Sequence, residues 1–325
     1  MVNTQKNSDA SIPMPNQAID QGWLGMKQFL VDFKELVKIR LTLTVVFSAS
    51  IAFLIGSKQQ GDIHWINWLV LTAGGFLVTG SANGFNEIIE KDLDKLMKRT
   101  ANRPLPSGRM TTGQALVLSL VMGIAGTYTL VTLNFMAGLI SLFSIFLYAF
   151  VYTPLKRKSP IAVFVGAFPG ALPPLIGYYA AFSQDDLALL SQQNPAAILV
   201  IPLVLFAIQF VWQFPHFWAI AWVLDEDYKR AGFRLLPTQK KDKFSAGMVF
   251  LTALLMIPTS FLPFYFGFGG YWVTTLSVIG ALLFSWYGYK LFKSCDEKDA
   301  KKVMFTSFFY LPLMQLLLLL DFIAI

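Results

Sequence analysis

The chain of 325 residues has a single cysteine, Cys295, so it can hold no internal disulfide and no cysteine-based metal cluster. Charge is scarce too. Asp, Glu, Lys and Arg make up 14% of residues against 55% hydrophobic, more apolar side chain than one water-soluble core of this length could hide. Bilayer lipid must take the excess, because the apolar runs last about twenty residues each, whereas runs of roughly ten to fourteen would indicate buried soluble helices or a signal sequence. Residues 1–26 lack the basic start and apolar stretch of a signal peptide. They are polar, rich in Asn, Gln and Ser, and are expected to form a disordered cytoplasmic tail. The formal charge of +7 does not point to nucleic acid, because the basic residues sit in short segments between apolar runs.

Apolar spans fall near residues 37–57, 65–85, 113–132, 135–153, 160–182, 196–222, 246–266, 271–289 and 303–324. They predict an all-α membrane protein with nine transmembrane helices in one bundle over residues 27–325. The charges test this partition. Twenty-five of the twenty-six Lys and Arg fall in alternate segments, with Lys58 alone on the other side. The positive-inside rule then places the N-terminus in the cytoplasm and the C-terminus outside it. Two cytoplasmic segments, 86–112 and 223–245, are longer than a helix connection needs. Their positions after the second and sixth spans hint at a four-helix unit used twice, with a ninth helix added.

The second span runs into NGFNEIIEKDLDKLMKRTANRPLPSGR, residues 83–109. If the helix continues, steps of four residues place Asn86, Glu90 and Asp94 in one stripe, bordered by Asn83 and Glu87, while Asp92 points elsewhere. Oxygen ligands without His or Cys suit a hard cation such as Mg²⁺ that also holds substrate phosphates. Acids at a helix C-terminus oppose the macrodipole, so stability does not explain their position; the alternative is a wet helix end paired with Lys91, Lys95 and Lys98. Arg99 and Arg103 follow in a turn-forming stretch, and guanidinium groups match phosphate oxygens. Lys156 and Arg157, after the fourth span, are candidates for the same work, although every cytoplasmic segment is basic.

The sixth span ends in QFPHFWAIAWVLDEDYKRAGFRLLP, placing His216 nine residues before Asp225, about 13 Å deeper along a helix. An ionisable group at that depth lines a bundle interior or cavity, or is a neutral imidazole bonded to the backbone. Pro215 beside it is expected to kink the helix.

The stretches NEIIEKDLDKLMKRTANRPLPSGR, YTPLKRKSP and QFPHFWAIAWVLDEDYKRAGFRLLP resemble those of the protoheme IX farnesyltransferases, the heme O synthases, within the UbiA-type intramembrane aromatic prenyltransferases. The likeness spans residues 34–325. The superfamily's NDxxDxxxD is matched by Asn86, Glu87, Glu90 and Asp94, with Glu twice in place of Asp. Its second motif, DxxxD, is not matched, because the residue four beyond Asp225 is Lys229; Asp227 and Tyr228 instead fit the DY of heme O synthases. The resemblance implies farnesyl diphosphate and heme B as substrates and heme O as product, which a downstream heme-modifying enzyme or terminal oxidase assembly would receive. It further implies Mg²⁺ on Asn86, Glu90 and Asp94, substrate contacts from Arg99, Arg103, Lys156, Arg157, Asp227 and Tyr228, and a catalytic or heme-contacting role for His216. A multi-pass position in a bacterial plasma membrane is expected.

Two other functions fit a polytopic chain. A related prenyltransferase acting on a quinone precursor is disfavoured by the QFPHFW and DY segments. A heme or metabolite transporter is disfavoured because its polar motifs belong at broken helices near the midplane, not at the cytoplasmic ends.

Overall fold

The computed structural model describes residues 15–325, with side chains from residue 25. The expected polar tail therefore lies largely outside the described residues, and from Pro15 onward the chain is helical. The helices are α1 (Pro15–Leu36), α2 (Ile39–Gln60), α3 (Trp65–Asp94), α4 (Thr112–Leu133), α5 (Phe135–Leu155) and α6 (Ala162–Ala180). They continue with α7 (Gln184–Gln193), α8 (Pro195–Val223), α9 (Asp225–Arg230), α10 (Lys243–Tyr265), α11 (Tyr271–Ser294) and α12 (Glu297–Leu320). Among the described residues there is no strand, only an isolated bridge between Gly269 and Phe322.

Polar residues between the apolar runs start the helices by accepting their first free N–H groups. Thr111 and Gln114 form a reciprocal capping box at α4, Asn134 caps α5 through Met136 N at 2.8 Å, and Asp242 caps α10 through Ser245 N at 2.8 Å. Prolines inside α6, α8, α10 and α12 remove backbone donors that neighbouring helices make tolerable in a membrane.

Among the described residues, eight helices are long and apolar enough to cross a membrane: α2 to α6, α8, α10 and α12. The eighth of the nine expected spans, 271–289, corresponds to α11. It has 24 residues and packs against both α10 and α12, but falls outside that set because polar residues interrupt it. The helix α3 extends to Asp94, so the first part of the long segment expected at 86–112 is helix rather than loop. At 30 residues, α3 rises about 45 Å and overshoots a hydrocarbon core by roughly three turns.

The bundle closes on itself because α12 returns to meet α2. A polar seam marks that closure: Ser48 donates to Gln209 at 2.7 Å, and Gln315 donates to Ser48 at 2.8 Å and to Gln209 at 2.9 Å. Small residues let backbones approach, as membrane helices require. At Gly177 a Cβ would lie 1.9 Å from the carbonyl oxygen of Ala49, so α6 and α2 touch main chain to main chain. Large apolar side chains cover the outside, among them Ile124, Trp272 and Phe309, each more than two-thirds exposed.

Candidate active site

The stripe read from the sequence is present. Asn86, Glu90 and Asp94 are all buried on α3, and so are Asn83 and Glu87 beside them. Asn83 and Asn86 anchor the stripe to its neighbours. Asn83 donates to the carbonyl of Val37 at 3.1 Å and to the Thr42 hydroxyl at 3.2 Å. Asn86 donates to Glu90 at 2.9 Å and to the Thr153 hydroxyl at 3.0 Å, and it accepts from the Lys38 ammonium.

Three cations face the three carboxylates. Arg103 meets Asp94 at 2.7 Å, Lys156 pairs with Glu90, and Lys38 bonds Asn86, the residue before Glu87. The cluster is close to neutral, which is what makes its burial tolerable. Burial first, and then the nearby charge of Arg103, pull the Lys38 ammonium down to about 7, against the opposing effect of Glu90. Lys38 sits in the two-residue link between α1 and α2 with φ of 49°, a left-handed backbone that is uncommon for a side chain of this size.

Lys156 is placed by the end of α5. Residues Leu147–Tyr152 wind as a π-helix, and the Thr153 hydroxyl donates back to the carbonyl of Tyr148 at 2.8 Å. Such wide turns recur at functional sites because they re-aim the residues that follow. The Lys156 ammonium lies 5.1 Å from the centre of the Tyr152 ring and 5.0 Å from that of Phe233. Its carbonyl accepts from Arg234 N at 2.8 Å, so the segments after α5 and after α8 are joined beside the stripe. Tyr228 belongs to the same neighbourhood. Burial raises its phenol, opposed by the charge of Arg99 and reinforced by that of Glu90.

The structure thus brings together Asn86, Glu90, Asp94, Arg103, Lys156 and Tyr228. Arg99 and Arg157 are exposed, and Asp227 is half-buried and pairs with Arg230 at 3.2 Å. His216 is elsewhere. Its Nδ1 meets the Ser307 hydroxyl of α12 at 2.7 Å and its ring stacks on Trp212 with centroids 4.3 Å apart. Among the described residues no hydrogen bond or ion pair links it to the stripe. Sequence reasoning missed Lys38 and Thr153 as partners of Asn86. They lie 48 and 67 residues away, and Lys38 reads as one more basic residue at a membrane edge.

The donor set suits a cation that shares its coordination with phosphate. Glu87 Oε2 and Asp94 Oδ1 are buried without a hydrogen-bond partner, and Glu90 Oε1 has only the Lys156 ammonium. Among the described residues no three His, Cys, Asp or Glu side chains converge into a ready cage. Mg²⁺ takes one or two carboxylates and completes its shell with water and substrate phosphate, and the unpartnered Glu87 Oε2 and Asp94 Oδ1 are oxygens of that hard type.

A model of the UbiA prenyltransferase family matches residues 45–311. The protoheme IX farnesyltransferase of Cytophaga hutchinsonii is 46% identical over 296 residues, covering 90% of this chain and 98% of that one. The protoheme IX farnesyltransferase of Flavobacterium psychrophilum is 42% identical over 300 residues, covering 91% and 96%. Among solved structures, one of a digeranylgeranylglyceryl phosphate synthase superposes with a TM-score of 0.72 at 21% identity, covering 90% of this chain and 98% of that one. A UbiA homolog from Archaeoglobus fulgidus bound to DMAPP and Mg²⁺ superposes with a TM-score of 0.62 at 12% identity, covering 86% and 99%. These two structures share the fold.

Proposed function

The chain belongs to the UbiA prenyltransferase family, and on that premise we propose that it transfers the farnesyl group of farnesyl diphosphate to a vinyl group of heme B, with addition of water, giving heme O and diphosphate. The observation that carries the reading is the buried, charge-balanced cluster of Asn86, Glu87, Glu90 and Asp94 with Lys38, Arg103 and Lys156. Its relatives named protoheme IX farnesyltransferase match it over nearly their whole length.

Bound Mg²⁺ would be held by Asn86, Glu90 and Asp94 and would neutralise charge on the departing diphosphate. The remaining work falls to the chain itself. Arg103 and Lys156 exchange their carboxylate partners for phosphate oxygens, with Arg99 and Arg157 at the exposed rim and Asp227 and Tyr228 closing the far side. Cleavage of the C1–O bond sends its electron pair to the diphosphate, where these cations stabilise the growing charge. The vinyl π electrons then form the new C–C bond, water adds to the resulting cation beside the porphyrin, and a base takes the released proton. His216, in a neutral pocket against Ser307 and aromatic rings, is assigned to the heme side of the reaction.

The same reading adds α11 to the eight helices and makes nine spans. Nine crossings, with the basic segments inside, put the N-terminus in the cytoplasm and the C-terminus outside a bacterial plasma membrane. Heme O then passes to a heme-modifying enzyme or a terminal oxidase assembly. The test is diphosphate release by purified protein. Release should require both farnesyl diphosphate and heme B and should be accompanied by heme O; release with a quinone precursor but not with heme B would overturn the assignment.

A further inference from the structure

Asn86 has one oxygen with which to bind a metal, and in this fold that oxygen already has a partner. The amide nitrogen of Asn86 donates to the Glu90 carboxylate at 2.9 Å and to the Thr153 hydroxyl at 3.0 Å. An ionised carboxylate only accepts, so the amide cannot turn over, and Oδ1 is left facing the Lys38 ammonium that bonds it. The carboxylates differ in this respect. Arg103 takes one oxygen of Asp94 and leaves Oδ1 without a partner, whereas Asn86 has no second oxygen to offer.

The backbone that presents Lys38 is fixed from both sides. Leu36 and Val37 are buried before it, and Asn83 of α3 donates to the Val37 carbonyl at 3.1 Å and to the Thr42 hydroxyl at 3.2 Å. That hydroxyl donates to the same carbonyl at 2.6 Å, and Thr42 N donates to the Lys38 carbonyl at 3.1 Å. These bonds hold Lys38 at its left-handed φ of 49°, a conformation that persists only where its surroundings enforce it. The side chain itself can move. It is half-buried, so rotation along its flexible four-carbon stem can carry the ammonium off Asn86 while the helices stay in place.

A divalent metal on Asn86 Oδ1 and an ammonium bonded to the same oxygen would put three positive charges within about 5 Å, in surroundings that screen them poorly. The two cannot share it. We propose that Lys38 is an internal cation that keeps the metal off Asn86 until diphosphate arrives, and then moves from the amide to a phosphate oxygen. Leaving Asn86 and gaining the new partner are one exchange, so metal and diphosphate enter the site together. The inference rests on the reading of the stripe as the metal and diphosphate site. It gives Lys38 a role that Arg103 and Lys156 lack, since each of those sits on a carboxylate with a second oxygen.

The test follows Mn²⁺, which takes the same oxygen ligands and is visible by electron paramagnetic resonance, on the purified full chain without diphosphate. The parent should bind it weakly. Lys38→Met, which keeps the length and removes the charge, should bind one Mn²⁺ at least about tenfold tighter, and Lys38→Arg should behave as the parent. Lys38→Gln, an uncharged donor, should fall on the side of Lys38→Met and serves as the second variant where Met disturbs the polar cluster. Adding Asp94→Asn to Lys38→Met should remove the gained ion, which assigns it to the stripe. A non-hydrolysable farnesyl thiodiphosphate should tighten Mn²⁺ binding more in the parent than in Lys38→Met, because only the parent has an ammonium to move. Mn²⁺ bound by the parent as tightly as by Lys38→Met, and lost from both on Asp94→Asn, would overturn the proposal and leave the stripe as the metal site. Mn²⁺ bound by neither, with or without the thiodiphosphate, would overturn the reading of the stripe as well.

Discussion

Replacing Asp94 by Asn keeps its size and hydrogen-bonding shape while removing one charge from the most enclosed part of the cluster, where the side chain is 1% exposed. Two effects follow, and they separate. In the resting protein the loss falls on the 2.7 Å pair with Arg103. Arg103 is 18% exposed and can turn toward water, and Asn still offers it a carbonyl, so the folding cost should be about 1–2 kcal/mol. During turnover the loss is larger, because the carboxylate would anchor the cation that opposes charge on the leaving diphosphate. Removing one principal electrostatic contact costs about 10²–10³ in turnover, or roughly 2.7–4 kcal/mol. The comparison is Asp92→Asn two residues away, where the carboxylate is 86% exposed and pairs with Lys95 at 3.1 Å. Surface pairs of that kind contribute little, so its turnover should stay within about twofold of the parent. Diphosphate release by purified protein, with heme B binding followed separately by absorbance, gives both numbers. Added Mg²⁺ should recover part of the loss at 94 and none at 92. Equal effects at the two positions, or full activity at 94, would refute the stripe as the diphosphate site.

Three further outcomes are expected. Gly177→Ala would place a Cβ 1.9 Å from the Ala49 carbonyl oxygen and should lower the thermal midpoint in detergent by several degrees; an unchanged midpoint would show that α2 and α6 can separate freely. His216→Ala should impair heme use while sparing binding of farnesyl diphosphate, and unchanged heme O output from a folded variant would reduce His216 to a packing residue tied to Ser307. A reporter fused after Ile325 should be active outside the cytoplasm and one inserted near Gly108 inside, whereas the same behaviour at both sites would contradict nine crossings.

Hydropathy and charge alternation made the bundle legible, since each span carries its own record of twenty or so apolar residues. The signal weakened at α11, whose Ser277, Ser285 and Gly288 serve helix contacts and dilute the apolar run. Helical spacing likewise located Asn86, Glu90 and Asp94, because successive turns of α3 align them. What spacing could not supply is the partner of each. Lys38 reaches Asn86 from the other end of α2, and Phe233 comes to Lys156 from beyond α8. Those meetings are tertiary facts with no local periodicity. The depth argument for His216 found a buried group but not its direction. A residue nine positions from Asp225 on a proline-interrupted helix has rotated through more than two turns, and here it faces α12.

The hydrogen bond from Arg234 N to the Lys156 carbonyl also joins two parts of the chain that are made at different times. Chains are made from the N-terminus at about 5–20 residues per second, so the acidic stripe and the end of α5 enter the membrane several seconds before residues 228–234 exist. During that interval Lys156 has Tyr152 on one side and no Phe233 on the other, and the segment that carries it is held only from the side of α3, through Glu90 and Asn86. A nascent chain stalled after its fifth crossing would display most of the charged residues and still lack a finished pocket. The contacts around Lys156 are therefore complete only once residues 228–234 have been made and have joined the end of α5.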